Sequence, residues 1–259
     1  MTAPLDLTPR PGAAPLYRMV GAQALMETKL LLRNGEQIVL ALVIPLLVLI
    51  AGTESGQVLD LGDGSRIDIL APGVLALAIL STSFTSLAIA TGFERRYEVI
   101  KLLGSTPLPR GGLLAGKTIA VLVVQAIQLT VLNLAALALG WEPAAGIAAL
   151  AWIAPIVVLG TAAFGAVGLL VAGVLRAEAT LAAANLIYVL LLVGGAVVVP
   201  LDRYPESAQP FLQLLPSSAL AEAIRSATDG AAPGTTPVLV LVVWAVVAGV
   251  AVGRTFRWE

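Results

Sequence analysis

The chain has 259 residues, 58% of them hydrophobic and only 12% charged, whereas soluble domains carry about 25% charge, and a mean hydropathy of +0.95 excludes an ordinary water-soluble globule. With no Cys and no His, disulfide staples, thiolate nucleophiles, imidazole bases and His-containing metal sites are excluded together. The net charge of -1 hides 15 Lys and Arg scattered at the ends of apolar runs, unlike the pooled basic patch of a nucleic-acid binder.

Residues 1–15 are Pro-rich and polar without an apolar h-region, which predicts a flexible cytoplasmic tail rather than a signal or a span. Residues 16–35 are apolar but interrupted by Arg18, Glu27, Lys29 and Arg33, too often for a membrane span. The three cations share one narrow helical sector, which suits an interfacial helix reaching toward anionic headgroups; a cytosolic helix packed on the central loop is the alternative. Gln37 to Thr53 reads as a short first span with Pro45 inside it, where a kink or tight packing is expected. Glu54 to Asp68 holds four acids against one Arg and reads as an exterior loop.

The second span, Ile69 to Phe93, contains the hydroxyl run STSFTS, whose side chains can bond the preceding turn or a facing helix. Thr118 to Leu139 forms the third, about 33 Å long at the helical rise. It carries Gln125, Gln128 and Asn133 at membrane depth, amides that either line a path or join helices. Trp141 follows as an expected headgroup-level anchor. The fourth span, Ile147 to Leu175, contains Pro155 and Gly160, Gly165, Gly168 and Gly173, which predict a kinked helix in close contact with its neighbours. A fifth, Ala179 to Val199, carries Asn185 and Tyr188, which join the amides as candidate path or helix-interface residues. Pro200 to Thr236 contains two short apolar stretches, Phe211 to Pro216 and Ala219 to Arg225, expected to be re-entrant or interfacial helices outside. Pro237 to Gly253 is the sixth span, and residues 254–259 form a basic, aromatic end suited to inner headgroups. These parts predict an all-α polytopic membrane protein: one domain over residues 16–259, with six spans, an N-terminal interfacial helix and short exterior helices before the last span. The positive-inside bias orients it, since all Lys and Arg but Arg66, Arg203 and Arg225 then lie inside, with both termini cytoplasmic.

The central charged segment, Glu94 to Lys117, sits between the second and third spans and holds five Lys and Arg. Read as a helix, its first part puts Tyr97, Val99, Ile100, Leu102 and Leu103 on one broad side and Glu94, Glu98 and Lys101 on the other. Gly104 can close it with a left-handed cap, and Pro107 and Pro109 cannot prolong it. Gly111 to Thr118 fits GxxxxGK[ST] letter for letter. It fails as a phosphate loop because a Pro-rich turn precedes it, a span follows it, and no later strand ends in a Mg²⁺-holding acid.

The order of these parts resembles the permease subunit of ABC-2 type ABC transporters over nearly the whole chain. The resemblance is carried by Glu94-Arg95, Leu103 to Arg110, Gly116-Lys117, and the segment with Pro200, Pro205, Leu215-Pro216 and Glu222 to Arg225. It implies that the loop is a coupling helix docking on a separate ATPase subunit, through Glu94, Arg95, Arg96, Tyr97, Val99, Ile100, Leu102, Leu103 and Gly104. It further implies export, a second permease subunit as homodimer or heterodimer, and placement in the cytoplasmic (inner) membrane. ATP and Mg would be bound by the partner ATPase; no cofactor, metal or nucleic acid is expected on this chain.

Intramembrane hydrolysis is a poor alternative, since the chain has no His and its Asp residues lie in tails and loops. A non-transporting membrane scaffold or assembly subunit is the remaining one. The absence of Asp and Glu near the span midplanes argues against a proton or metal relay and fits an amphipathic or lipid-like cargo, without defining it.

Overall fold

A computed structural model describes residues 12–54, 65–144 and 146–255. Residues 1–11 of the expected tail, 55–64 of the expected exterior loop and the final 256–259 lie outside the described residues. No strand occurs among the described residues. The elements are α1 (Leu16–Arg33), α2 (Gly35–Ile38), α3 (Ile44–Glu54), α4 (Arg66–Leu80), α5 (Leu87–Arg96), α6 (Val99–Gly104), α7 (Arg110–Ala138), α8 (Leu150–Val174), α9 (Ala177–Gly194), α10 (Gln209–Leu212), α11 (Pro216–Thr228) and α12 (Thr235–Thr255). Among the described residues five helices are long and apolar enough to cross a bilayer: Arg66–Arg96, Arg110–Ala138, Leu150–Val174, Ala177–Gly194 and Thr235–Thr255. The expected first span corresponds to the shorter apolar helix Ala41–Glu54.

Two wide, π-helical turns interrupt the helices where the sequence strains a regular ladder. Val39–Val43 precedes Pro45, where the ring would collide with the carbonyl four residues back in a regular helix. The second is Ser81–Ser86, joining α4 to α5 without a break in the helix. There Ser83 Oγ donates to the Ile79 carbonyl at 2.5 Å, the local back-bonding expected of its hydroxyl.

The α4–α5 helix is the central staff of the bundle, with every residue from Leu70 to Thr85 buried. It is covered by α3, α7, α8, α9 and α11. The predicted glycine contacts hold on α8: a Cβ at Gly168 would stand 2.8 Å from the Phe84 carbonyl oxygen, and one at Gly160 would stand 2.8 Å from Leu220. The other side of α8 lies along α12.

Three expectations are corrected. The fifth span stops at Gly194, and Gly195 to Val199 form a non-helical segment in which Ala196, Val197 and Val198 are buried. Close backbone approach explains it: Gly73 of α4 lies so near that a Cβ there would meet the Val197 carbonyl at 2.6 Å. Arg225 of α11 donates to the Val197 carbonyl at 2.6 Å, supplying a donor that a continued helix would have supplied. Trp141 is no lipid-facing anchor; it is buried in the core, because Gly140 turns with φ 92 and the Trp141 amide folds back onto the Ala136 carbonyl at 3.0 Å. The helix that carries the third span begins earlier than the expected Thr118, at Arg110, with Pro109 at its N-terminal boundary, a position that Pro tolerates because no partner for its missing N–H is required.

Candidate functional site

The central segment is not one helix. α5 ends at Arg96, Glu98 adopts a left-handed conformation (φ 58), and α6 starts afresh at Val99. The left-handed residue therefore stands at the N-terminal end of the short helix; Gly104 remains within α6 and the cap is Ser105 in a right-handed conformation. The helix stops by another route than the expected Gly104 cap: the hydroxyls of Ser105 and Thr106 donate to the carbonyls of Leu102 and Leu103 at 2.7 and 2.6 Å.

The break also divides the expected apolar side. Ile100 is buried against the rest of the chain and Leu103 is half-buried, while Tyr97, Val99 and Leu102 are exposed, Leu102 at 70%. Thus α6 is held by Ile100 and offers Val99 and Leu102 outward, with Tyr97 stacked on Phe93 at a ring separation of 6.2 Å. Lys101 is exposed 3.8 Å from Glu98, a pair worth little in water.

Glu94, Arg95 and Arg96 root this projection in other helices. Lys117 Nζ of α7 lies 2.7 Å from Glu94 and 2.7 Å from Glu27 Oε1 of α1, while Gln23 Nε2 donates to the same Glu27 oxygen at 2.8 Å. Lys117 and Glu27 are both buried, so the three charges form a paired cluster in which loss of the cation would leave two desolvated carboxylates. Arg95 donates to the Ala172 carbonyl near the end of α8, and Arg96 to Glu178 at the start of α9. The root of α6 is therefore tied to α1, α7, α8 and α9.

The cluster also accounts for the GxxxxGK[ST] match. Gly111 to Thr118 are the first turns of α7, not a loop. A Cβ at Gly116 would stand 2.7 Å from Gln23 Cγ of α1, and one at Gly112 would stand 2.6 Å from Leu108. These glycines admit α1 and the preceding turn, and that approach brings Lys117 to Glu27. The buried side of α1 is accordingly Gln23, Ala24 and Glu27, whereas Arg18, Lys29 and Arg33 point away, exposed, with Leu25, Met26, Leu30 and Leu32 beside them.

Within the bundle, Gln125 Nε2 donates to the Ile79 carbonyl at 3.2 Å and its Oε1 accepts from Thr161 at 2.7 Å. Gln128 accepts from Thr82 at 2.6 Å and donates to the Ala41 carbonyl. Both amides thus join α7 to its neighbours. Asn133 bonds the Leu129 carbonyl of its own helix at 2.8 Å. Tyr188 is buried in the core; Asn185 is exposed and lines a cavity of about 460 Å³ with Glu27, Asn34, Phe93, Glu94 and Tyr97. Sequence reasoning missed Glu27 and Lys117 as partners; the available signal was a Gln and a Glu four residues apart on the side of α1 opposite its cations.

On the α11 side, burial holds the Arg225 guanidinium below its ordinary range, opposed by nearby Glu222 and Asp202. It lines a polar hollow of about 590 Å³ with Asp202, Glu222 and Asp229.

A comparison with curated proteins finds no match. The family model of the ABC-2 type transporter matches residues 23–228, from the buried turn of α1 to the end of α11. That match takes in the Gln23–Glu27 end of the charge cluster, the whole 94–117 segment and the Arg225 clamp. The chain belongs to the ABC-2 type transporter family and is a multi-pass membrane permease component of an ABC transporter.

Proposed function

We propose that this chain is one half of the membrane path of an ATP-driven exporter, coupled to a separate ATPase subunit through α6. The observation that carries the reading is the form of the 94–109 segment. A short helix exposes Val99 and Leu102 to water, while its root is held by polar contacts to α7, α8 and α9 and, through Lys117, to α1. An exposed apolar helix face is suited to a groove on a partner, and a rooted one passes a displacement to the bundle instead of bending. ATP and Mg belong to the partner, a second permease copy or relative completes the path, and six spans with both termini cytoplasmic set the orientation in the inner membrane. Export is the direction that the resemblance implies and that this reading adopts. Affinity isolation of the tagged chain from its own membranes in mild detergent tests the reading: an ABC ATPase should co-isolate and give the preparation ATP hydrolysis. Isolation free of any ATPase under conditions that preserve the fold would oppose it.

A further inference from the structure

Three arginines converge where α5 ends and α9 begins. Arg95 and Arg96 of α5, Arg176 of the α8–α9 connection and Glu178 of α9 line a hollow of about 310 Å³, with Gly92 and Leu175 beside them. Close helix contact brings them together: a Cβ at Gly92 would stand 3.2 Å from Thr180 Cγ2, so α5 and α9 touch there, and Arg96, one turn on, donates to Glu178. Arg95 donates to the Ala172 carbonyl near the end of α8. Arg176 is exposed, and its side chain makes no hydrogen bond or ion pair among the described residues. Three guanidinium groups are thus set against one carboxylate, and among the described residues no other acid lines the hollow. Like charges gathered in one place repel, and a guanidinium keeps several N–H donors in a planar fork after one is used. The hollow is therefore electropositive and short of acceptors.

Its level in the bilayer follows from α9. That helix has 18 residues, roughly 27 Å at the helical rise and slightly less than the roughly 30 Å of a hydrocarbon core. Leu181, Leu186, Val189, Leu190 and Val193 are exposed along it, so α9 carries an apolar surface from end to end and crosses the core with almost nothing to spare. Arg176, just before its first residue, is thereby set in the headgroup layer. Val174, the last residue of α8, is exposed next to Leu175 of the lining, which places the hollow at the edge of the hydrocarbon and apart from the apolar face that α6 offers through Val99 and Leu102. On the topology adopted above this edge belongs to the inner leaflet, whose anionic lipids attract Lys and Arg; the leaflet rests on that topology, the site does not.

We propose that this hollow is a phosphate-anion site that takes the headgroup phosphate of an anionic phospholipid on the forks of Arg95, Arg96 and Arg176. Guanidinium groups match phosphate oxygens in paired N–H···O contacts. Glu178 holds Arg96 in position, while Arg176 and the remaining donors of Arg95 are left for the ligand. An occupied site ties the end of α5, and with it the root of α6, to the surrounding lipid. Binding is a property of this chain alone, so it stands or falls apart from export and from ATPase docking.

The test uses the full chain purified in mild detergent, with phosphatidylglycerol and phosphatidylcholine as probes, binding read by native mass spectrometry and thermal unfolding as the control for folding. Wild type should hold one phosphatidylglycerol in preference to phosphatidylcholine. Arg176→Gln, whose side chain has no partner to lose, should weaken that binding roughly fivefold, about 1 kcal/mol, and Arg176→Glu roughly 25-fold. Arg176→Lys should lose less than Arg176→Gln, and Arg254→Gln, which removes a cation at the end of α12 outside the hollow, should change nothing. Glycerol 3-phosphate separates the two sources of phosphate: failure to displace phosphatidylglycerol at millimolar concentration assigns the site to lipid, and displacement that depends on Arg176 assigns it to a soluble phosphate ester. Wild type binding both lipids alike, unchanged phosphatidylglycerol binding in Arg176→Glu, or an equal loss in Arg254→Gln would overturn the proposal. Loss of ATPase co-isolation in Arg176→Glu with its lipid binding unchanged would overturn it too, and would assign the arginines to an acidic segment of the ATPase.

Discussion

Replacing Leu102 by Asp should abolish ATPase docking without disturbing the membrane domain. Leu102 is 70% exposed and Ile100 beside it carries the internal packing of α6, so the substitution removes almost nothing from the isolated chain. In the proposed docked state the same side chain would lie in an apolar groove of the ATPase. Full burial of a leucine is worth roughly 1.5–3 kcal/mol, of which about 1–2 kcal/mol remains to be gained on docking. A carboxylate left there without a partner adds about 3–5 kcal/mol. The total of about 4–7 kcal/mol corresponds to roughly a thousandfold or greater loss of affinity, at about 1.4 kcal/mol per tenfold. The assay is co-isolation of the ATPase with tagged Leu102→Asp, with expression and thermal unfolding in detergent measured alongside. Lys101→Ala, on the exposed polar side, should retain the partner, and Ile100→Asp should lose the fold of the segment itself. Full ATPase recovery with Leu102→Asp, or loss with Lys101→Ala at unchanged stability, would refute the assignment of the docking face.

Lys117→Met should destabilise the chain by about 3–5 kcal/mol by leaving Glu27 and Glu94 buried without a cation, and adding Glu27→Gln should recover part of that loss; both are read from detergent melting curves. Gly168→Ala should cost about 1–3 kcal/mol because its Cβ would stand 2.8 Å from a backbone oxygen, while Gly249→Ala, with nothing within 4 Å, should be neutral or slightly stabilising by the same measurement. Gln128→Leu should cost about 1–3 kcal/mol, since Thr82 and the Ala41 carbonyl both lose their partner; combining it with Thr82→Val should cost less than the two single changes added.

The apolar runs were legible because a span announces itself by length and composition, and the glycines of α8 because close helix packing demands small residues. What the sequence hid were contacts across long separations. The spacing that makes Tyr97 to Leu103 amphipathic does not reveal that Glu98 turns left-handed and directs Ile100 inward and Leu102 outward. Lys117 looked like part of a motif whose context failed, and of its two carboxylate partners, Glu94 and Glu27, the second lies 90 positions away. The end of the fifth span at Gly194 was masked by the apolar AVVV that follows: hydropathy is blind to the Arg225 clamp that lets a non-helical backbone stay buried. Trp141 was misplaced for a related reason, because an aromatic residue at a span end satisfies either a headgroup layer or the protein core, and only the turn at Gly140 decides between them.

The claim that α6 is a cytoplasmic docking helix is tested most directly by thiol accessibility of Leu102→Cys, the sole cysteine in the chain. Membranes are labelled with an impermeant maleimide in three states: intact cells, inside-out vesicles stripped of peripheral subunits, and stripped vesicles to which the co-isolated ATPase has been returned. The account predicts no labelling in intact cells, strong labelling in stripped vesicles, and about tenfold protection, equivalent to about 1.4 kcal/mol, when the ATPase is restored. Labelling from outside the cell, or undiminished labelling with the ATPase bound, would contradict it.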